Sequence, residues 1–243
     1  MKKILKRFVK KIVFRFIKPP ITRITNSNSQ AGEDRILNFL FDSIGLRRIS
    51  YIDIGTNNPR AGNNTYLFYT MGSRGVLVEP DDSYQSQIRK TRPEDIALQV
   101  GIGVNNGEMD FFIFNDSSLN TLSKEEAIVR QKTGKFTLME TRKISLVTID
   151  EIIQKYLAGS TPHLISLDVE GMDYEILSSF DFEKYKVPVW VVETCEYSEN
   201  HIKPKVKTIV DLMLRKGYFV YADTYINTIF VNKEWFDTYR DNG

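Results

Sequence analysis

The sequence predicts an α/β fold built on a mostly parallel β-sheet, and two observations favour it. Short runs of β-forming residues alternate with amphipathic helical stretches from residue 49 to residue 231, as expected when helices connect parallel strands. Four of the runs also end in a carboxylate, at Asp53, Glu79, Asp168 and Glu193. Because ligands of open α/β sheets bind at the carboxyl ends of the strands, we expect these acids to surround one groove.

The first strand and the turn after it are expected to form a cradle for a nucleotide-type cofactor. Apolar residues from Ile49 to Ile54 predict a strand covered on both faces. The turn that follows is rich in breakers and polar residues: Gly55, Thr56, Asn57, Asn58 and Pro59. Asp53 lies near the end of the strand, where a buried carboxylate costs free energy unless it is paired. It either faces the ligand or caps the next turn.

A second strand supplies a partner for Asp53 at a suitable distance along the chain. Residues 75–78 are apolar and end in Glu79 and Pro80. A βαβ unit places an acid roughly 20 residues after its glycine turn, where it binds the ribose hydroxyls. Asp53 and Glu79 therefore suggest an adenosine site. Only Gly55 and Gly62 occur in the turn, so the glycine pattern that binds a pyrophosphate is missing.

The remaining elements follow from periodicity and from cap residues. Helices are predicted at residues 33–44, 65–71, 82–90, 148–153, 174–180 and 204–216. Further strands are predicted at residues 96–100, 164–171, 187–192, 218–221 and 228–231, the last two as an antiparallel pair. Gly101 and Ile102 follow the third strand. Residues 109–114, 136–140 and 142–147 are predicted as β segments paired antiparallel, and residues 115–135 as a polar stretch that is loop-like at 117–121.

Composition limits the classes of protein to consider. The 243 residues are enough for one α/β domain with an extension, predicted as a domain at residues 33–243, a linker at 21–32 and a helix at 1–20. A single cysteine, Cys195, excludes an internal disulfide and favours a reducing compartment. Nine basic residues precede the first acid, and the rest of the chain has 24 basic residues against 31 acidic ones. This acidic remainder disfavours nucleic acid as a substrate.

The basic N-terminus predicts an amphipathic helix over residues 1–18. Its apolar residues come in pairs, from Ile4-Leu5 to Phe16-Ile17, with lysine and arginine between them. The apolar runs are too short for a transmembrane span or a signal peptide. We expect a helix that lies in the plane of an anionic membrane surface. Docking on the protein's own domain or on a partner, and a nucleic-acid arm, are the alternatives.

The four strand-end acids also indicate what kind of ligand the groove holds. A cationic or polyhydroxylated ligand suits them, whereas a phosphate-rich ligand would be repelled. S-adenosylmethionine has a sulfonium, an ammonium and a ribose diol, so it satisfies both descriptions.

Several motifs resemble those of the FkbM-type S-adenosylmethionine-dependent methyltransferases. They begin at Tyr51 (YIDIGTNNP), Val76 (VLVEP), Ile144 (ISLVTID) and Leu164 (LISLDVEGMDYEIL), of which the last is the most specific. The resemblance covers residues 50–231 and implies a Rossmann-like class I methyltransferase fold, with seven strands and an antiparallel last pair. It places Asp53 and Gly55 under the methionine part, Glu79 on the ribose, Gly101 and Ile102 beside the adenine, and Asp168 and Glu170 at the reactive centre. The Asn57-Asn58-Pro59-Arg60 turn departs from the family pattern.

The mechanism expected from this resemblance is an in-line displacement at the sulfonium methyl by a hydroxyl oxygen. Asp168 and Glu193 are the candidate bases, with Glu170 orienting. His201 lies in a polar loop after the fifth strand and is a candidate catalytic or substrate-binding residue. His163, at the opposite end of a strand, is expected to be structural. A magnesium ion held by Asp168 and Glu193 is an alternative to metal-free catalysis.

The resemblance implies an acceptor that is either a sugar hydroxyl of a glycan or glycolipid or an oxygen of a secondary metabolite, and the basic N-terminal helix favours a lipid-linked glycan. With the basic helix, it suggests a cytoplasmic protein bound at the inner face of a bacterial membrane. A nicotinamide-dependent oxidoreductase and a non-catalytic membrane-docked adaptor are the competing hypotheses.

Overall fold

The computed structural model describes residues 26–169, 171–195 and 204–240. The helices are α1 (Glu33–Ser43), α2 (Tyr66–Thr70), α3 (Asp82–Thr91), α4 (Lys124–Lys132), α5 (Ile149–Tyr156), α6 (Asp173–Ser179), α7 (Lys207–Arg215) and α8 (Lys233–Arg240). The strands are β1 (Ser50–Ile54), β2 (Arg74–Val78), β3 (Ile96–Leu98), β4 (Gly101–Ile102), β5 (Gly107–Phe114), β6 (Leu138–Val147), β7 (Leu164–Leu167), β8 (Val189–Glu193), β9 (Tyr218–Asp223) and β10 (Asn227–Asn232). The amphipathic helix predicted over residues 1–18 lies outside the described residues.

Seven strands form the main sheet in the order β3-β2-β1-β7-β8-β10-β9. Strands β3, β2, β1, β7 and β8 pair parallel, while β10 is antiparallel to both β8 and β9. The central strands are apolar because helices cover both of their faces. This topology confirms the predicted Rossmann-like class I methyltransferase fold, including its antiparallel end.

Two apolar clusters sandwich the sheet, one on each face. One contains Ile52 and Ile54, and the other contains Tyr51 together with Leu37 and Phe41 of α1. Successive strand residues point to opposite faces. The side chain of Asp53 therefore lies on the face of Tyr51, which decides its partners.

A second, three-stranded sheet has the order β4-β6-β5 and was predicted only in part. The segments 136–140 and 142–147, expected to be separate, form the single strand β6 paired antiparallel to β5. Strand β3 ends at Leu98, and Gly101–Ile102 pairs with β6 instead of extending the main sheet. Helix α4 lies inside the stretch expected to be polar and irregular.

The helix starts follow the expected chemistry where a cap is present. The side chain of Thr148 accepts from the amide of Glu151 at 3.1 Å, which confirms the predicted cap of α5. Within residues 26–169, 171–195 and 204–240, no helix has the length and apolar character needed to cross a bilayer.

Candidate active site

The structure brings the strand-end acids to one rim of the main sheet. In the strand register, Ile54 pairs with Val78 and Leu167, and Leu167 pairs with Val192. The next residue on each strand is therefore aligned with its neighbours. Gly55, Glu79, Asp168 and Glu193 occupy this level, with Asp53 two residues below Gly55.

Gly55 allows β1 and β7 to stay in contact at this rim. Its φ is +76°, and a Cβ added to it would lie 1.8 Å from the carbonyl oxygen of Asp168. A side chain here would therefore be strained twice, by conformation and by overlap. The amides of Gly55 and Thr56 both donate to the carbonyl of Val78, at 3.0 and 3.2 Å. The turn is thus fixed to the ends of β2 and β7.

Two adjoining grooves open at the rim. The first is open to solvent, spans about 610 Å³ and is partly apolar, with walls that include Ile54, Val78, Glu79, Pro80, Gly101, Ile102, Phe111 and Leu122. The second is also open to solvent, spans about 680 Å³ and is lined largely by polar residues, including Gln30, Asp53, Thr56, Asn57, Asn63, Asn64, Ser166 and Asp168. Ile54, Gly55, Asn57, Ser118 and Asp168 line both. We call them the apolar groove and the polar groove.

Glu79 is buried in the wall of the apolar groove. One carboxylate oxygen accepts from the amide of Asn57 at 2.8 Å and the other from the amide of Asp81 at 2.8 Å. Burial raises the pKa of Glu79 to about 7, although both backbone hydrogen bonds oppose the shift. Glu79 thus links the turn after β1 to the turn after β2.

Asp168 and Glu193 are paired carboxyls at the ends of adjacent strands. The two side chains are placed to share a hydrogen bond, which requires a proton on one of them. Burial and the nearby charge of Asp173 raise the pKa of Asp168, while Glu193 and the charge of Arg130 lower it. Asp168 Oδ1 is shielded from solvent and has no hydrogen-bond partner among the described residues. A buried acceptor of this kind is costly unless a ligand satisfies it.

Sequence comparison assigns these residues to a family. The family model of the methyltransferase FkbM domain matches residues 53–220. The chain belongs to the FkbM methyltransferase family. The match covers every strand-end acid and both grooves' main walls. No curated protein matches the chain in sequence.

Several solved structures are similar to this methyltransferase at low sequence identity. A TehB-like SAM-dependent methyltransferase from Corynebacterium glutamicum is 10% identical, with a TM-score of 0.43 over 96% of this chain and 97% of that one. A putative O-methyltransferase from Klebsiella pneumoniae is 10% identical, with a TM-score of 0.43 over 92% and 96%. The O-methyltransferase from Bacillus cereus, in complex with SAH, is 11% identical, with a TM-score of 0.43 over 91% and 95%. Similarity this weak indicates nothing about the substrate.

The grooves of the methyltransferase fit S-adenosylmethionine. Asn64 Oδ1 and Asp168 Oδ1 are both buried acceptors without partners in the described part of the chain, and both residues line the polar groove. They suit a ligand that carries hydrogen-bond donors and positive charge. The apolar groove, with Glu79 in its wall, suits a nucleoside. These residues would hold the methyl donor, whose methyl group is the one to be transferred.

Asp53 lines the polar groove and also holds the turn of the methyltransferase together through one of its carboxylate oxygens. Its Oδ2 accepts from Asn63 Nδ2 at 2.8 Å and from Thr65 Oγ1 at 2.6 Å, and lies 3.5 Å from Arg92 Nη1. Asn63 Oδ1 in turn accepts from the amides of Thr65 and Tyr66, at 3.0 and 2.8 Å. This arrangement is close to the turn-capping alternative for Asp53.

Arg92 was not predicted from the sequence, although it is fully buried beneath the site. Its Nε donates to Asp95 Oδ2 at 2.8 Å and its Nη1 to Asn63 Oδ1 at 3.1 Å. The guanidinium also lies over the ring of Tyr51, whose hydroxyl donates to Asp95 at 2.7 Å. No periodic signal marks Arg92, because it follows the last residue of α3.

Of the other residues singled out in the sequence, some line a groove, some do not, and some lie outside the described residues. Pro80, Gly101 and Ile102 line the apolar groove. Asn58 lines neither groove, and its Oδ1 accepts from the amides of Arg60 and Ala61 within the turn. Glu170 and His201 lie outside the described residues. His163 is at the opposite end of β7, where its Nδ1 accepts from the amide of Ser50 at 3.0 Å.

One wall of the apolar groove comes from a stretch that the sequence did not suggest. Ser117, Ser118, Asn120, Thr121 and Leu122 line it. Tyr84 and Ser117 share a hydrogen bond between their hydroxyls at 2.6 Å, and Asn120 Nδ2 donates to Asp81 Oδ2 at 2.7 Å. In the described ranges, no three metal-ligating side chains come together.

Proposed function

We propose that this methyltransferase methylates a hydroxyl oxygen of a sugar, in a surface glycan or a glycolipid precursor. The Asp168–Glu193 carboxyl pair carries the proposal. A hydroxyl must lose its proton as its oxygen is alkylated, so it needs a base beside it. Asp168 Oδ1 is a buried carboxylate oxygen with no partner among the described residues, at the junction of the two grooves.

The residues around the pair determine what this base does. S-adenosylmethionine, when bound, supplies an electrophilic methyl group. Asp168 Oδ1 would accept the hydroxyl proton, and Glu193 would hold the Asp168 carboxyl in place through their hydrogen bond. The raised pKa of Asp168 favours this step, because a base is most effective when its pKa lies near the working pH.

A neutral, hydroxyl-rich acceptor agrees with the charges and the groups in the grooves. Asn57, Asn64, Ser118 and Ser166 offer amides and hydroxyls, the groups that hydrogen-bond sugars. Carboxylates dominate the rim, so a phosphate-rich acceptor would be repelled. The same argument disfavours nucleic acid.

We also propose that residues 1–18 bring the enzyme to an anionic membrane at the inner face of the bacterial envelope, where a lipid-linked glycan would be met. The alternating basic and apolar residues support this. Deleting residues 1–20 should release the protein from anionic liposomes in a sedimentation assay and leave cofactor affinity unchanged. Retention on the liposomes would refute membrane binding through this segment.

Mass spectrometry of the host's surface polysaccharide tests the acceptor. In a strain that lacks the protein, one sugar residue of the polysaccharide should be lighter by the mass of one methylene. The unmodified gene should restore the missing mass. The Asp168→Asn variant should not restore it. An unchanged polysaccharide in the deletion strain would refute the glycan acceptor. Calorimetry of the unmodified protein with S-adenosylhomocysteine is the separate test of the donor, and an absence of binding would refute it.

A further inference from the structure

Residues 26–32, expected to be part of a linker, pack against the site instead, and we call them the strap. Gln30 lines the polar groove together with Asn64 and Asp168. The carbonyl of Asn28 accepts from the amide of Asn63 at 2.9 Å. The side chain of Gln30 also lies within 3.8 Å of the position that a Cβ on Gly62 would take. The strap thus touches the turn after β1 and borders the groove.

Two buried carboxylates in the first turn of α1 hold the strap. Asp34 is fully buried, and it accepts from Ser27 Oγ at 2.7 Å, Ser29 Oγ at 3.1 Å and the amide of Asn28 at 2.8 Å. Acids at a helix N-terminus also interact favourably with the helix dipole. Three of the seven residues of the strap are therefore fastened to one side chain.

Glu33, also fully buried, connects the strap to the turn between β9 and β10. It accepts from Thr224 Oγ1 at 2.6 Å, Asn227 Nδ2 at 3.0 Å and the amide of Ala31 at 2.8 Å. Burial raises the pKa of Glu33, but these hydrogen bonds outweigh burial and lower it. Gln30 Oε1 lies 3.3 Å from Asn227 Nδ2. The strap thus connects the turn after the central strand β1 to the β9–β10 end of the sheet.

We propose that the strap is part of the methyl-donor site and binds the amino-acid end of the donor, with Gln30 in contact with the ligand. Glu33 and Asp34 are positioning residues, because they act by holding the strap. This inference rests on the proposed function. An amino-acid group carries both an ammonium and a carboxylate. Asn64 Oδ1, a buried acceptor without a partner among the described residues, is suited to the ammonium, and the Gln30 amide is a donor suited to the carboxylate.

Two ligands that differ in the amino-acid group test the proposal. S-adenosylhomocysteine has it, and 5′-methylthioadenosine lacks it. We expect Gln30→Ala to weaken S-adenosylhomocysteine binding roughly fivefold to tenfold, the effect of about one lost hydrogen bond, and to leave methylthioadenosine binding within about twofold. Glu33→Gln and Asp34→Asn should act in the same direction. Isothermal titration calorimetry on the full chain measures all of these affinities.

Gln87→Ala is the matched control, because Gln87 is an exposed glutamine on α3 that lines neither groove. Its affinities should equal those of the unmodified protein. Unchanged S-adenosylhomocysteine binding by Gln30→Ala would overturn the inference, and so would an equal loss for both ligands. Gln30 is exposed, so this variant decides the matter even where Glu33→Gln or Asp34→Asn does not fold. If the unmodified protein binds neither ligand, the proposed function falls first and the inference with it.

Discussion

Asp53 and Asp168 lie at the same rim on neighbouring strands, yet their carboxylates have opposite surroundings. Asp53 Oδ2 receives two short hydrogen bonds and faces the guanidinium of Arg92. Asp168 has other carboxyls as neighbours, Glu193 and Asp173, and one of its oxygens has no partner in the part of the chain that is described. Oδ2 of Asp53 is thus bound by the protein, whereas Oδ1 of Asp168 is left for a ligand.

This difference shows how carboxylates at one rim of a sheet can contribute either to folding stability or to methyl transfer. Burying a carboxylate is costly in either place. At Asp53 the cost is offset by a cation and by donors that also shape the turn. At Asp168 it is not fully offset, and the pKa is raised as a result. We therefore expect changes at Asp53 to affect folding and changes at Asp168 to affect methyl transfer.

The largest effect is expected for Asp168→Asn. The amide has the same shape but cannot accept a proton, so the rate of methyl transfer should fall about a thousandfold, which corresponds to roughly 4 kcal/mol. Transfer from labelled S-adenosylmethionine to an acceptor extract measures the rate. The midpoint of thermal unfolding should stay the same or rise, because a buried charge is removed.

Asp53→Asn is the control for that comparison. The folded variant should keep methyl transfer within about tenfold of the unmodified enzyme, and its free energy of unfolding should fall by roughly 1–3 kcal/mol. Should Asp53→Asn abolish transfer while unfolding normally, the division between a structural and a catalytic acid would be wrong.

Replacing Arg92 by methionine tests how much the buried network around Asp53 contributes to the stability of the fold. Asp53 and Asp95 would then be buried without their cation, and the free energy of unfolding should fall by about 3–5 kcal/mol. Urea unfolding measures the change. Arg47→Met removes an exposed ion pair with Asp42 and should cost less than about 1 kcal/mol. Equal losses in the two variants would show that the buried network contributes little.

Gly55→Ala tests the contact between the two acidic strands. The new Cβ would overlap the Asp168 carbonyl oxygen, so we expect a loss of roughly 3 kcal/mol, more than conformational strain alone would cause. Gly45 is a matched control, since its φ is +75° and a Cβ there would have no neighbour within 4 Å. Gly45→Ala should cost about 1 kcal/mol. A similar loss at both positions would mean that β1 and β7 can separate without cost.

The sequence was sufficient to predict the elements whose signal is local. The central strands are short apolar runs that end in acids, and Thr148 with Glu151 marks the start of α5, so these were predicted. Strand register then carries the acids to one rim, which follows from parallel pairing and needs no side-chain detail. Helix α4 had a comparable signal in Ser123 and Glu126, where the serine side chain accepts from the glutamate amide at 3.2 Å. That signal was outweighed by the polar composition of the stretch.

The rest depends on contacts between residues distant in sequence. Arg92 meets Asp53 across 39 positions of the chain, and Glu33 meets Asn227 across 194. Neither pairing produces a periodic pattern in the sequence, because the partner of a buried carboxylate can lie on any element that packs against it. For the same reason the sequence predicts a linker where the strap lies: the strap has the composition of an exposed segment, and the two buried carboxylates that hold it, Glu33 and Asp34, belong to α1.

Glu79 accepts hydrogen bonds from the protein as Asp53 does but has a raised pKa as Asp168 does, and the pH dependence of stability should show this. Its pKa in the folded protein is about 7, against 4.5 in the unfolded chain. Its contribution to stability is therefore fully present below pH 4.5 and is lost as the pH rises through 7. Between about pH 5 and pH 8, the free energy of unfolding of the unmodified protein relative to Glu79→Gln should fall by roughly 2 kcal/mol. Taking the difference between the two proteins cancels the other titrating groups. A difference that stays constant with pH would mean that Glu79 ionises as freely as an exposed acid, and that its two backbone hydrogen bonds offset the whole cost of its burial.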